Sequence, residues 1–196
     1  MPINTATNSV AVHARLRRMS KELILGGARS GKSALAERRA AGSGFEVVYV
    51  ATAAADDDEM AARIVHHRAR RPSQWRTVEE PVRLAAVLRA EASSGRCLIV
   101  DCLTLWLSNL MLGPGLEPER QDLLRTLCDV SGRVILVSNE VGCGVVPDNE
   151  LARRFADEQG RLNQAMAAAC QRVTLVAAGL PLELKDVRGG RGPLPS

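Results

Sequence analysis

The chain has 196 residues, of which 46% are hydrophobic and 24% are charged, and its formal net charge is +4. This size and composition predict one domain with a buried core. The positive charge falls at the ends, +3 on residues 1–22 and +1 on residues 183–196, and aromatic residues make up only 3%. Both features argue against a nucleic acid as a partner.

The sequence also lacks the signals of a membrane or secreted protein. No apolar run has the length of a membrane span, and the first residues lack the apolar core of a secretory signal. The five cysteines form no CxxC pair, and three of them lie in or beside apolar segments, where a reduced thiol acts as a small hydrophobe. We therefore expect a cytoplasmic protein.

Only the middle of the chain is predicted to fold. Residues 1–21 contain no acid and no sustained periodicity, which predicts a mobile extension. Residues 188–196 end in GGRGPLPS and predict a flexible tail. The single domain is expected at residues 22–187.

Within that domain, short apolar runs alternate with amphipathic segments of helical length. This alternation predicts an α/β fold, a mainly parallel sheet with helices on both faces. The predicted strands are 22–25, 45–51, 96–101, 133–140 and 172–178. The predicted helices are 33–41, 57–70, 82–92, 103–112, 118–130 and 150–170.

The first predicted strand leads into a phosphate-binding motif. Residues 26–33 read GGARSGKS, which satisfies GxxxxGK[ST] in the strand, loop and helix context that the motif needs. Backbone N–H groups can converge on phosphates there, Lys32 can neutralise the outer phosphates and Ser33 can offer a hydroxyl to Mg²⁺. The predicted nucleotide contacts are Gly26, Gly27, Ala28, Arg29, Ser30, Gly31, Lys32 and Ser33.

An acidic residue that is a candidate ligand of a metal ion (the metal acid) ends the third predicted strand. The run RCLIVD closes on Asp101, where nucleotide-binding folds place an acid that reaches Mg²⁺ through water. Asp101 could equally cap the helix that begins near Leu103. The P-loop upstream favours the metal role.

Residues 56–72 contain two adjacent histidines followed by three arginines. Acids at the start and bases at the end match the helix dipole, so the segment predicts a helix closed by Pro72. Neighbouring helical residues point about 100° apart, which disfavours a shared zinc ion. Two interpretations stay open, a solvated basic helix end or an imidazole that attacks phosphorus while arginines bind phosphate. His67 shares a helical stripe with apolar residues and is preferred over His66.

The loop 139–147, which reads NEVGCGVVP, follows a predicted buried strand. Open α/β sheets place ligands at the carboxyl ends of their strands. An ordinary connection and a ligand-binding loop both fit this pattern, and no residue here acquires a catalytic role.

Four motifs together resemble one enzyme family. They are GGARSGKS, YVAT followed by DDEMAARI.HH, RP..W.T.E, and SNEVG.G.VP.N.LAR.F.D..GR.NQ. They are similar to the bifunctional adenosylcobinamide kinase and adenosylcobinamide-phosphate guanylyltransferase family, from about Leu23 to Val176. The P-loop is generic, whereas the acidic double-histidine segment joined to NEVGCGVVPDN is specific.

The resemblance implies a P-loop NTPase fold related to recombinase-type ATPases, a homotrimer and a step of cobalamin biosynthesis. Such enzymes phosphorylate adenosylcobinamide with ATP or GTP. They then move GMP from GTP to a histidine and on to adenosylcobinamide phosphate, which gives adenosylcobinamide-GDP. A plain P-loop small-molecule kinase and a nucleotide-switched binding protein are the alternatives that the residues leave open.

The resemblance also implies roles for particular residues. Lys32 and a guanylylated histidine, His67 with His66 as the alternative, would be catalytic, and Ser33 and Asp101 would hold Mg²⁺. The nucleotide contacts beyond the P-loop would be Ala51, Thr52, Ala53, Arg68, Ala69, Arg70, Arg71, Glu79 and Asp101. The loop at 53–55 is blander than in the family, and arginines replace a frequent glycine before Pro72. The choice between ATP and GTP therefore stays open.

Overall fold

The structure is a computed structural model that describes residues 20–53, 72–113 and 115–187. Its strands are β1 (Lys21–Gly26), β2 (Glu46–Ala51), β3 (Arg76–Glu79), β4 (Arg96–Asp101), β5 (Arg133–Asn139), β6 (Arg172–Ala177) and β7 (Leu180–Asp186). Its helices are α1 (Lys32–Ala41), α2 (Leu84–Glu91), α3 (Leu103–Met111), α4 (Leu116–Asp129) and α5 (Glu150–Ala169).

The seven strands described form one sheet in the order β3-β2-β4-β5-β1-β6-β7. Every neighbouring pair is parallel except β6 with β7, so the prediction of a mainly parallel sheet is confirmed. Parallel strands place their carboxyl ends at the same edge. At this edge Ala51 pairs with Glu79 and Asp101, and Gly26 pairs with Asn139.

Helices cover both faces of the sheet, as predicted. On one face, helices α2 to α5 pack against strand residues such as Leu23 and Leu25. On the other face, α1 contributes Leu35 and packs against Ile24 and neighbouring strand residues. Because successive residues of a strand point to opposite faces, a continuous apolar run such as β1 fills both layers of the core.

The predicted elements that fall in the described ranges begin and end within two residues of the observed ones. Two strands were not predicted. The edge strand β3 has the sequence RTVE and is mostly exposed, and β7 is exposed along most of its length, so neither shows an apolar run. The predicted extension 1–21 is corrected at its end, because Ser20 and Lys21 are buried and Lys21 begins β1. The predicted helix 57–70 and the tail 188–196 lie outside the described residues.

Among the helices described, none is both long enough and apolar enough to cross a lipid bilayer.

A buried carboxylate ties β1 to its surroundings. Glu22 is completely buried and accepts hydrogen bonds from Arg39 on α1 and, at 3.0 Å, from Arg133 on β5. Arg39 also donates to Thr174 at 2.8 Å and to Glu183 at 2.6 Å. A charge buried in this way is tolerated because each of its oxygens has a cationic partner.

We expect Glu22→Gln to lower the free energy of unfolding by about 3 kcal/mol, because it leaves the largely buried Arg133 without its carboxylate and leaves Arg39 only the partly exposed Glu183. The matched control is Glu46→Gln, which removes an exposed partner of Arg96 and should cost less than about 1 kcal/mol. Urea unfolding at neutral pH measures both values. Equal losses for the two variants would contradict this account of the buried pair.

Candidate phosphate and metal site

The P-loop connects the end of β1 to the start of α1. Gly31 precedes the helix with a φ of 95°, a left-handed conformation that favours glycine, and Leu35 N–H donates to its carbonyl at 3.0 Å. The loop frames a depression of about 390 Å³ at the amino end of the helix, where backbone N–H groups can bind an anion. The residues that line it are Arg29, Ser30, Gly31, Lys32, Ser33, Ala34 and Glu37.

The first glycine of the loop lies against the neighbouring strand. A Cβ at Gly26 would lie 2.6 Å from the carbonyl oxygen of Val176 and would also collide with Ser30 Oγ. The second glycine has open space, since a Cβ at Gly27 would meet nothing within 4 Å. Ser30 is itself held, because its carbonyl accepts from Gly179 N–H at 2.9 Å in the turn before β7. The loop is therefore packed onto β6 and the turn that follows it.

Lys32 lies over the loop that it follows. Its Nζ donates to the carbonyl oxygen of Gly27 at 3.1 Å, and its side chain is partly exposed beside the depression. Ala28 and Arg29 are exposed at the tip of the loop. A cation held at the loop by one backbone contact can turn toward a phosphate without breaking any other bond shown for it.

Asp101 ends β4 at the same edge of the sheet. It is partly buried, and its Oδ2 accepts a hydrogen bond from Tyr49 Oη at 2.7 Å. The next residue, Cys102, is buried, and loss of solvation, followed by the Asp101 charge, raises the pKa of its thiol to about 11. This thiol therefore stays protonated at neutral pH, which excludes it as a nucleophile there.

Thr52 uses its polar groups within the protein. It is fully buried, and its hydroxyl donates to Cys102 O at 2.7 Å and accepts from Cys102 N–H at 2.8 Å. Its carbonyl accepts from the side-chain amide of Asn109 at 2.9 Å. Of its neighbours, Ala51 is buried and accepts from Glu80 N–H at 3.0 Å, while Ala53 is partly exposed. The nucleotide contacts predicted for these residues stay predictions.

The remaining predicted residues divide into two groups. Glu79 ends β3, is exposed and pairs in register with Ala51, so the structure brings it to the edge that carries Asp101. The histidines and the basic residues after them lie outside the described residues, and their roles stay predictions. They are His66, His67, Arg68, Ala69, Arg70 and Arg71.

The loop after β5 begins beside the P-loop. Glu140 N–H donates to the Gly26 carbonyl at 3.1 Å, and Asn163 Nδ2 on α5 donates to Asn139 O at 3.0 Å. Asn163 Oδ1 in turn accepts from Ser138 Oγ at 2.7 Å and from Gln159 Nε2 at 3.0 Å. This buried polar network joins α5 to the strand that neighbours β1.

Sequence reasoning did not single out Tyr49, Asn109 or Asn163. Two of them left a signal in the sequence. Tyr49 is the one tyrosine of the chain and lies in an apolar strand, and Asn109 interrupts the apolar helix LTLWLSNLM. A polar group in such a place needs a partner, but the sequence does not say which.

These features coincide with a known family. The model of the family described as cobinamide kinase / cobinamide phosphate guanyltransferase matches residues 22–184. The chain belongs to this family. The match covers every strand and helix described up to the middle of β7, so the resemblance drawn from the motifs is confirmed.

Relatives of this cobinamide kinase and guanyltransferase family member cover most of its length. The bifunctional adenosylcobalamin biosynthesis protein CobP of Pseudomonas aeruginosa is 62% identical over 168 residues, which are 84% of this chain and 97% of the relative. The bifunctional adenosylcobalamin biosynthesis protein CobU of Escherichia coli K12 is 40% identical over 179 residues, which cover 83% of this chain and 98% of that relative. The CobU of Salmonella typhimurium is 41% identical over a similar span.

Solved structures resemble this family member in fold alone. The Pyrococcus horikoshii protein PH0250 superimposes with a TM-score of 0.54 at 11% identity, covering 96% of this chain and 97% of that one. A type III secretion ATPase superimposes with a TM-score of 0.52 at 12% identity, covering 84% of this chain and 57% of that one. Together with the sheet order and the loop at its edge, these likenesses confirm the P-loop NTPase fold class. Fold and family together support nucleotide binding.

The two glycines that open the P-loop provide a test of its geometry. We expect Gly26→Ala to lower the free energy of unfolding by roughly 1–3 kcal/mol, because the added methyl group meets the backbone of β6. Gly27→Ala is the matched control and should stay within about 0.5 kcal/mol of wild type. Guanidinium unfolding without nucleotide measures both, and a larger loss at Gly27 would contradict the geometry.

Proposed function

We propose that the chain carries out two consecutive reactions at one edge of its sheet. It phosphorylates the hydroxyl of adenosylcobinamide with ATP or GTP, and it then transfers GMP from GTP to the new phosphate by way of a histidine. The observation that carries the proposal is a P-loop packed onto β6, with Asp101 at the same edge, in a chain that belongs to the cobinamide kinase and guanyltransferase family.

In the kinase step, the substrate hydroxyl oxygen forms a bond to the γ-phosphorus and the bond to the β-phosphate oxygen breaks. The N–H groups of residues 27–33 bind the phosphates, and Lys32 leaves the Gly27 carbonyl to face the transferring group. Such preorganised positive charge stabilises the negative charge that develops on the transferring phosphoryl group in the transition state.

The residues present suit Mg²⁺. Ser33 lines the depression with a hydroxyl, and Asp101 adds a carboxylate whose described hydrogen bond uses only Oδ2. Hydroxyl and carboxylate oxygens are the ligands that Mg²⁺ takes beside nucleotide phosphates. When bound, the ion neutralises charge on the β- and γ-phosphate oxygens. Tyr49 orients the carboxylate toward this task from within the core.

In the guanylyl step, an imidazole nitrogen of His67 forms a bond to the α-phosphorus of GTP and pyrophosphate leaves. An oxygen of adenosylcobinamide phosphate then attacks the same phosphorus, and the bond to nitrogen breaks. A covalent intermediate divides one difficult displacement into two easier ones. The arginines at 68, 70 and 71 hold phosphate oxygens in this proposal, and Ala51, Thr52, Ala53 and Glu79 adjoin the nucleotide.

We also propose that residues 22–187 act as one domain flanked by an extension and a tail, in a cytoplasmic homotrimer. All described strands lie in one sheet, which supports a single domain. The five cysteines are free thiols, as suits a reducing compartment. The edge strand β7 exposes apolar side chains that an assembly could cover, namely Leu180, Leu182, Leu184 and, just beyond it, Val187.

We expect Lys32→Ala to lower both activities at least ~100-fold, because charge on the transferred group loses its fixed cation. Arg38→Ala is the matched control, since Arg38 is exposed on the same helix and does not line the depression. Phosphorylation of adenosylcobinamide and GMP transfer are assayed with Mg²⁺ present. A Lys32→Ala protein with wild-type rates would refute the P-loop role.

The guanylyl step predicts a covalent label. Incubation with α-labelled GTP and Mg²⁺ should label the chain through a phosphoramidate, which survives mild base, is lost in acid and returns GTP when pyrophosphate is added. His67→Ala should abolish labelling and keep the kinase activity, whereas His66→Ala should be the milder lesion. The reverse order would assign the role to His66. Wild-type protein that never takes the label would leave a plain small-molecule kinase.

A further inference from the structure

We propose that Asn109 is a positioning residue for GMP transfer. Its side-chain amide joins the two stretches of chain that flank residues 56–72, the segment that contains His66 and His67. We call these residues the histidine segment, and the amide fixes where this segment leaves and rejoins the sheet edge. This inference rests on the proposed function, because it takes the nucleophile to lie between those two stretches.

The amide of Asn109 binds two carbonyls that are far apart in sequence. Its Nδ2 donates to Thr52 O at 2.9 Å and to Pro81 O at 3.0 Å. Thr52 precedes the histidine segment, and Pro81 follows β3, the strand by which the chain returns. One side chain thus connects the chain just before the histidine segment to the chain just after β3.

The helix that carries Asn109 makes a second contact with the returning chain. One turn earlier on α3, Trp106 Nε1 donates to Val82 O at 2.6 Å. Trp106 is completely buried, so this contact fixes the helix and the chain after β3 in one arrangement. Asn109 extends the same interface outward to Pro81 and then across to Thr52.

Helix α3 is also connected to the metal acid. It begins at Leu103, two residues after Asp101, and the hydroxyl of Thr52 is bonded to both backbone groups of Cys102 between them. Thr52 N–H donates to Asp101 O at 3.3 Å. These bonds use the Thr52 hydroxyl and backbone groups, so the start of the histidine segment and α3 form one hydrogen-bonded unit. The carboxylate of Asp101 takes no part in these bonds and accepts instead from Tyr49.

The physical consequence concerns alignment. Eighteen residues lie between Ala53 and Pro72, so the described chain acts on the histidines only through the two stretches that flank them. In-line attack on phosphorus requires near-contact geometry, and a displacement of about 1 Å can cost on the order of 10²-fold in rate. The kinase groups on β1 and α1 do not use these bonds, and Asp101 is held separately by β4 and Tyr49.

The proposal predicts a selective loss. Asn109→Leu keeps the approximate size of the side chain and removes both donors, so labelling from α-labelled GTP at saturating GTP should slow at least ~10-fold. The kinase rate and its KM for nucleotide should stay within about 2-fold, since the bonds lost do not touch the P-loop. Asn109→Gln, which retains an amide donor, should recover part of the labelling rate. Asn109→Ser serves as a second variant if the leucine protein folds poorly.

A matched control separates positioning from general destabilisation. Thr126→Val removes the buried hydroxyl that accepts from Arg89 at 2.7 Å, in the partly buried contact between α2 and α4. Melting temperatures of all variants are measured beside the two rates. Equal losses of labelling and kinase activity in Asn109→Leu, or labelling that stays at the wild-type rate, would overturn the proposal. Wild-type protein that takes no label would defeat the proposed function first, and this inference with it.

Discussion

The turn after β1 depends on the absence of a side chain at Gly26, and the site depends on that turn. Gly26 lies against the carbonyl of Val176, so β1 can pack beside β6 while the chain curls back over its own end. Gly31 then takes the left-handed conformation from which α1 begins. Because the strands are parallel, Asp101 comes to the same edge without further adjustment. The loop that carries Lys32 and the proposed phosphate contacts thus follows from one close approach of two backbones, and the parallel register brings Asp101 to the same edge.

The same edge carries two structural units with different supports. The P-loop is fixed by its packing on β6 and by the contact between Glu140 and Gly26. The ends of the histidine segment are fixed by α3 through Asn109 and through the backbone around Thr52. In the proposed mechanism the P-loop serves both reactions, whereas the supports of the histidine segment serve GMP transfer. Their separate supports explain why variants should be able to remove one activity and keep the other.

The sequence predicts the buried strands well, because continuous apolar runs such as RCLIVD are typical of parallel strands that helices cover on both faces. It misses β3 and β7, whose exposed residues carry no such pattern. The P-loop motif contains Gly26 and Gly27 alike, and only packing shows that a methyl group is excluded at the first. Bonds such as those of Asn109 join residues 28 and 57 positions apart, and no local pattern encodes them.

The central claim is that a histidine carries GMP between the two substrates, and mass spectrometry of one peptide tests it most directly. Trypsin cleavage after Arg63 and Arg68 releases IVHHR, which contains both candidate histidines. The protein is incubated with GTP and Mg²⁺, digested at mildly basic pH to preserve a phosphoramidate, and the peptide is fragmented. The account predicts GMP on the fragment that carries His67. A peptide that stays unmodified while GMP transfer proceeds would contradict it.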